Sequence, residues 1–333
     1  MATIDDVAKA AGVSTSTVSY VLSGKRPISA PTRSRVEKAI KDLGYRPHAG
    51  ARALASNRTN VLALVAPLRA AVNVNVIMLF VSGIAQAAQH HNYDVLLVTQ
   101  DDATGLDRVL NGSMVDAVIT MDVEEHDPRI PVLRNAKQPA VLIGLPRDTA
   151  GLSCVDLDFA SVGSSAVRHL AELGHTKIGL LGSGSAAWER RTSFLERLLQ
   201  GARTEANYQS VELAAIPCEA SEVGAAEAVD SILAQQPGLT ALIVHNESAL
   251  PHAIARLREL GKSIPGDISV LAVCPPDVAA NQPLPLTSID IPGEAIGRAA
   301  VDMAMNRLDN DLPAETRLLA PVLTQRESTG PVR

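Results

Sequence analysis

Residues 3–46 read TIDDVAKAAGVSTSTVSYVLSGKRPISAPTRSRVEKAIKDLGYR, and this stretch decides the fold of the head. Ile4, Val7, Ala8 and Ala11 recur at i, i+3, i+4 and i+7, one face of a helix. Thr3 precedes that helix and Asp6 lies three residues on, so hydroxyl and carboxylate can each satisfy an orphan N–H. Gly12 ends the helix, because glycine turns left-handed without a Cβ penalty. Ser14 caps a second helix whose inward residues are Val18, Val21 and Leu22, and Gly24 stops it. Ser29 opens a third, with Val36, Ala39, Ile40 and Leu43 inward and Gly44 at its end. Two short helices around a glycine-containing turn form a helix-turn-helix. The outer face of the second helix carries Thr15, Ser16, Ser19, Tyr20 and Ser23 and no charge. Small hydrogen-bonding side chains with one aromatic suit the base edges of a major groove. A three-helix bundle used for protein contacts is the plainer reading of the same pattern.

Charge favours nucleic acid. Residues 1–60 hold ten Lys and Arg against four Asp and Glu, a balance of +6, and residues 61–333 hold 20 against 32, a balance of −12. A basic head attracts phosphates through counterion release, and an acidic body resists lying on them.

The segment TIDDVAKAAGVSTSTVSYVLSG, the basic third helix ending LGYRP, and ARALASNRTN (51–60) together resemble the DNA-binding head of LacI/GalR-family transcription regulators, the purine repressor subgroup most of all. The resemblance implies that bases are read by Thr15, Ser16 and Tyr20, and that Thr17, Ser29, Thr32, Arg33 and Tyr45 meet phosphates. It also implies that the connector 46–60, RPHAGARALASNRTN, forms a hinge helix when two subunits meet on an operator. Leu54 is then the minor-groove wedge, with Arg52 beside it. By its residues alone the connector is a flexible linker, since Pro47 and Gly50 leave a helix too short to stand unaided.

From residue 61 the pattern becomes strand–helix alternation. Apolar runs at 61–67, 93–99, 115–121, 139–146, 178–183, 211–216, 240–245 and 268–273 read as strands. Helical spacing covers 76–91, 161–173, 187–206, 222–236 and 248–260. Such alternation predicts parallel sheets with right-handed crossovers, and about ten strands in two series predict two α/β lobes. HLAELGHTKIGLLGS (169–183), VHNESALPHAIARLRELGKSIPGDISVLAV (244–273) and PLTSIDIPGEAIGRAAVDMAMNRL (285–308) resemble the same family's two-lobed, periplasmic-binding-protein-like core. The expected organisation is a head at 1–46, a hinge at 47–60 and a core at 61–333. Lobe 1 takes about 61–159 and 291–319, and lobe 2 about 160–290 and 320–333.

The resemblance implies a small-molecule effector between the lobes, with Arg190 as the family's effector-holding arginine (Arg191 if the loop shifts by one) and Asn246 as a hydrogen-bonder. Trp188, the only Trp, either stacks on a ligand or belongs to the core. Two departures from the family's pattern stand out. Cys274 replaces an aspartate in VLAVCPPD, and Gly144 replaces a carboxylate in VLIGLP. Their absence argues against a sugar or purine effector. It leaves an anionic ligand held by Arg69 or Arg190, a less polar ligand, or a cleft that binds nothing tightly.

No catalytic or metal site is expected. The chain has neither a phosphate loop nor a G-x-S-x-G elbow. His90 and His91 are helix neighbours that point apart, and Cys154, Cys218 and Cys274 lack any CxxC spacing. No signal peptide or run of about 18 apolar residues is present. The expectation is a cytoplasmic, cofactor-free homodimer on double-stranded operator DNA, a repressor in preference to an activator. The rival expectation is a ligand-binding or interaction module with weak or non-specific DNA binding.

Overall fold

The computed structural model describes residues 2–23, 26–45, 58–67, 69, 73–100, 102–112, 114–310 and 312–332. Arg52 and Leu54 lie outside these residues. The head comprises α1 (Ile4–Ala11), α2 (Thr15–Ser23) and α3 (Ala30–Asp42). The first lobe's elements begin with β1 (Val61–Val65), α4 (Val74–His90), β2 (Asp94–Val98), α5 (Ala103–Asn111) and β3 (Ala117–Thr120). Then follow α6 (Ile130–Asn135), β4 (Ala140–Ile143) and β5 (Ser153–Leu157). The second lobe has α7 (Phe159–Glu172), β6 (Lys177–Leu181), α8 (Ser185–Glu189), α9 (Ser193–Gln209), β7 (Glu212–Ile216) and α10 (Glu222–Gln235). It continues with β8 (Ala241–Val244), α11 (Leu250–Glu259), β9 (Ser269–Cys274), α12 (Pro276–Ala280) and β10 (Thr287–Asp290). The chain then supplies α13 (Gly293–Asn310), β11 (Thr316–Leu319) and β12 (Leu323–Thr324).

The head folds as its pattern dictates. Thr3 and Asp6 form the reciprocal capping box, with Thr3 N–H donating to Asp6 Oδ2 at 2.9 Å and Asp6 N–H donating to Thr3 Oγ1 at 3.3 Å. Gly12 closes α1 at φ 65°. The Thr17 N–H donates to Ser14 Oγ at 3.2 Å, which caps α2. Val7, Ala8, Ala11, Val18, Val21, Val36 and Ala39 make the small core. Leu22 and Leu43, expected inward, are 38% and 41% exposed. A head with three short helices has too little interior to cover every apolar position.

Among the described residues the core contains two six-stranded sheets, in the orders β11-β5-β4-β3-β1-β2 and β12-β10-β9-β8-β6-β7. All ladders are parallel except β10 with β12. Strands β3, β4, β8 and β9 are buried throughout, which explains why they read as unbroken apolar runs. Sheet-to-sheet passages fall after β5, after β10 and between β11 and β12.

One helix pair in each lobe packs at backbone distance. A Cβ on Gly201 of α9 would stand 1.9 Å from the Ala160 carbonyl oxygen of α7. Helix α4 meets α13 in the same way, since a Cβ on Gly297 would lie 2.5 Å from Phe80 O. The helix expected at 187–206 is instead two. Arg191 takes φ 52° between α8 and α9, a left-handed residue that no α-helix contains. Helices α5, α6, α12 and α13 and strands β5, β10, β11 and β12 lie outside the elements expected. Short runs and mixed polarity, as in SCVDL (153–157), hide them from periodicity.

Candidate nucleic-acid interface and interlobe cleft

Thr15 and Ser16 are exposed at the start of α2, and Thr17, Ser19 and Tyr20 are half-buried behind them. The Arg26 guanidinium stacks over the Tyr20 ring at 5.1 Å from its centroid. That contact holds the ring and adds a cation that spacing did not flag. Ser29 donates to Thr32 Oγ1 at 2.9 Å at the entrance of α3, and Arg33 is exposed one residue on. Ser14 and Thr17 share a 2.9 Å hydroxyl contact. Thr15, Ser16, Thr32 and Arg33 therefore sit at helix starts, where N–H groups and dipole favour phosphate. Tyr45 departs from the surface role expected of it. It is 8% exposed and joins Val7, Ala8, Val36 and Ala39 in the head's apolar cluster, since a small head gains by burying an aromatic ring.

In the core, strand ends of both sheets converge on one cleft of about 210 Å³. Ala66, Met121, Gly144 and Asp156 reach it from the first sheet, and Ser183, His245 and Ile291 from the second. This is where parallel sheets leave open N–H and C=O groups and room for a ligand. The lining is mostly apolar. The protein has three Phe in all, and Phe80, Phe159 and Phe194 all line the cleft. Phe159 and Phe194 lie 5.7 Å apart, and His245 packs against both, at 5.9 and 5.5 Å. Nothing in the spacing of 80, 159 and 194 announces this gathering, which three separate helices produce.

A clasp joins the lobes at the mouth. Arg190 donates to Asp122 Oδ2 at 3.0 Å and Glu124 Oε1 at 3.1 Å. Arg69 donates to the same Asp122 oxygen at 2.5 Å. Ser193 N–H donates to Val123 O at 2.8 Å and Glu125 N–H to Arg191 O at 2.8 Å, a single antiparallel bridge around Glu124 and Thr192. Arg191 pairs with Glu125 at 2.7 Å. Behind the clasp, Arg129 donates to the Met121 and Asp122 carbonyls at 3.1 and 3.0 Å and is itself held by Asp127. That buried pair fixes the loop on which Asp122 sits at φ 53°. Sequence reasoning found Arg69 and Arg190 but not the acidic residue that joins them, which lies more than fifty positions from either.

Several expected cleft roles are corrected. Trp188 is outside the lining. Its indole N–H donates to Ser183 O at 2.9 Å and its ring lies over Gly182, so it belongs to the core side of the loop. Cys274 is fully buried at the end of β9 and does not line the cleft. Burial pushes its thiol well above the ordinary range. Asn246 does line the cleft, but its side chain is engaged internally. It donates to Cys218 O at 2.7 Å and accepts from the Ser248 and Ala249 N–H groups. Arg69 and Arg190 carry carboxylate partners already, which removes the reason for an anionic ligand. At Gly144, φ is 138° and a Cβ would stand 2.7 Å from the Val123 side chain, so a carboxylate-bearing residue does not fit there.

Burial dominates the electrostatics inside. It holds His245 down to about 4, so the ring is neutral at pH 7. It raises Glu247 to about 7. It raises Asp156 to about 6, outweighing the Arg197 guanidinium that contacts it. Among the described residues no cluster of His, Cys, Asp or Glu could hold a metal ion, and no helix is long and apolar enough to cross a membrane.

A helix-turn-helix head together with a two-lobed core that has a cleft at the strand ends defines a class, the ligand-responsive DNA-binding regulators. Comparison places the chain within that class. Residues 3–48 match the model of bacterial regulatory proteins of the lacI family, and residues 167–329 match a periplasmic-binding-protein-like domain. The transcriptional regulator CelR of Thermobifida fusca is 29% identical over 98% of each chain. The transcriptional regulator GalR of Escherichia coli (strain K12) is 29% identical over 99% of this chain and 96% of its own. A CelR–cellobiose complex superposes with a TM-score of 0.70 at 26% identity, covering 98% of this chain and all of that one. A lac repressor dimer bound to operator superposes with a TM-score of 0.83 at 22% identity over 99% of each chain, a likeness of fold. The chain thus carries a lacI-family DNA-binding domain and a periplasmic-binding-protein-like domain, and the relatives it resembles are transcription regulators of the LacI family.

Proposed function

We propose that the protein is a cytoplasmic repressor acting as a homodimer on a pseudo-palindromic operator, one head per half-site. We propose further that a small molecule in the interlobe cleft changes its operator affinity. The observation that carries this reading is the uncharged, hydroxyl-rich outer face of α2, with Thr15 and Ser16 exposed on a basic head. Such a face gains little from protein contacts and fits base edges. Thr15, Ser16 and Tyr20 are the proposed readers. Thr17, Ser29, Thr32, Arg33 and Arg26 are the proposed phosphate contacts, and Leu54 with Arg52 the proposed minor-groove element. The proposed division is head 1–46, hinge 47–60 and core 61–333.

Dimerisation is supported by apolar side chains on one flank of the first lobe. Val74 and Met78 of α4 are each 50% exposed, and Leu97 of the edge strand β2 is 45% exposed. The clasp offers the coupling element. A ligand that moves Arg190 against Asp122 changes the lobe angle, and a coupling of about 1–3 kcal/mol suffices for regulation.

The test is selection of bound duplexes from a random pool by the full-length protein at near-physiological salt. A recovered pseudo-palindrome supports the reading. Binding without enrichment favours the rival, a module that binds DNA without reading it.

A further inference from the structure

Among the described residues, the charged side chains that line the cleft are Arg69, Asp122, Asp156, Arg190 and Glu247, and all but one have an ion-pair partner. Arg69 and Arg190 are answered by Asp122 and Glu124, and Arg197 by Asp156. Three cations and three carboxylates cancel. His245 is neutral. The charge left over is on Glu247, which lines the cleft. Among the described residues its carboxylate is bonded only by its own backbone N–H, and partial desolvation at the cleft wall raises it to about 7. Glu247 is half-buried at the cleft wall, and a carboxylate partly stripped of water with no counter-charge is stabilised by a cation brought to it.

The rest of the lining supports the same occupant. Phe80 and Phe194 present π-surfaces that attract cations and pack apolar bodies, beside Phe159, whose ring already carries the Arg197 guanidinium at 5.5 Å. A polyhydroxylated ligand needs many polar partners, yet the Asn246 amide is spent on Cys218 O and position 144 admits no side chain. An anionic ligand would have to displace Asp122 from Arg69 and Arg190 and leave that carboxylate unpaired.

Resting on the proposed effector role of the cleft, we infer that its ligand is a compact organic cation. A protonated amine meets the Glu247 carboxylate, and an apolar body packs among Phe80, Phe159 and Phe194.

Calorimetric titration of the full-length protein at pH 7.5 tests this with matched probes. Each of three bodies, phenethyl, cyclohexylethyl and hexyl, is supplied as amine, alcohol and carboxylate. The expected result is that at least one amine binds about tenfold or more tightly than its alcohol, roughly the worth of one charge-assisted hydrogen bond. The carboxylates should give no binding heat. Glu247→Gln should bring amine and alcohol within about twofold, and Glu247→Asp should restore part of the preference. A thermal melt followed by circular dichroism establishes that both variants fold. If no amine outbinds its alcohol, or if a carboxylate binds best and Arg190→Gln abolishes it, the inference is overturned. Duplex selection on the same preparation separates the two proposals. An enriched operator without amine preference sinks the cation alone. Amine preference without an enriched operator sinks the regulator reading and leaves the cleft chemistry standing.

Discussion

Tyr20 is half-buried on α2 under the Arg26 guanidinium, so its ring is held in one orientation on the proposed reading face. Removing it takes away a base contact and also releases Arg26. Tyr20→Ala is expected to change the preferred half-site and to weaken binding to the original one by about 1–3 kcal/mol, measured by repeating the duplex selection with the variant. An unchanged consensus would remove Tyr20 from the readers. His245 carries a different prediction. It is 5% exposed against Phe159 and Phe194, and burial lowers its value from 6.5 to about 4. The unfolded chain therefore takes up a proton near pH 6.5 while the folded chain resists until about 4. Stability contributed by the neutral ring is complete above pH 6.5 and is lost as pH falls through that window, by up to about 3 kcal/mol. His245→Asn should flatten this part of the stability–pH curve, read from denaturant midpoints between pH 4 and 7. A slope equal to that of the parent protein would contradict the assignment.

Between elements, the clasp is the feature to test. The loop after β3 and the loop between α8 and α9 come from different sheets and meet through Asp122, Glu124, Arg190 and Arg191. Asp122 and Arg190 are partly shielded from solvent, with side chains 16% and 25% exposed, so their pairing is screened less than a surface bridge. A double-mutant cycle with Asp122→Asn and Arg190→Gln should give a coupling energy on the order of 1 kcal/mol in core stability. Additive losses would show that the backbone bridge alone holds the mouth. The clasp also shows what was hidden at this scale. Arg190 was legible as a cleft residue because its stretch resembles a family pattern. Asp122 follows an apolar strand and looks like any loop acid, and only the meeting of two loops makes it a partner.

The whole molecule sets the head's task. In the proposed reading one head covers a half-site, and two are brought to a palindrome only if the cores associate. The exposed Val74, Met78 and Leu97 offer the apolar flank for that association. Met78→Glu is expected to shift the protein to monomers in sedimentation velocity and to reduce operator binding at least tenfold, while leaving the weak affinity for random DNA nearly unchanged. A dimer that survives the charge would place the interface elsewhere.

What the linear order determined is what local chemistry controls. The capping box of Thr3 and Asp6, the left-handed Gly12, the apolar stripe of each head helix and the alternation of buried strands with helices depend on neighbours within a few residues, so they can be read directly. The uncharged face of α2 and the basic balance of the head belong to the same level. What only the tertiary structure decided is what distant segments do to one another. It withdrew Tyr45 and Cys274 into cores and packed the half-buried Trp188 against Gly182. It turned Arg69 and Arg190 from anion holders into two arms of one neutral network. It brought three phenylalanines from three helices to a single cleft and left Glu247 without a counter-charge. The physical reason is that burial and pairing act through space. The environment of the Asp122 carboxylate is set by charges that lie fifty or more positions away, and no periodicity along the chain encodes that distance.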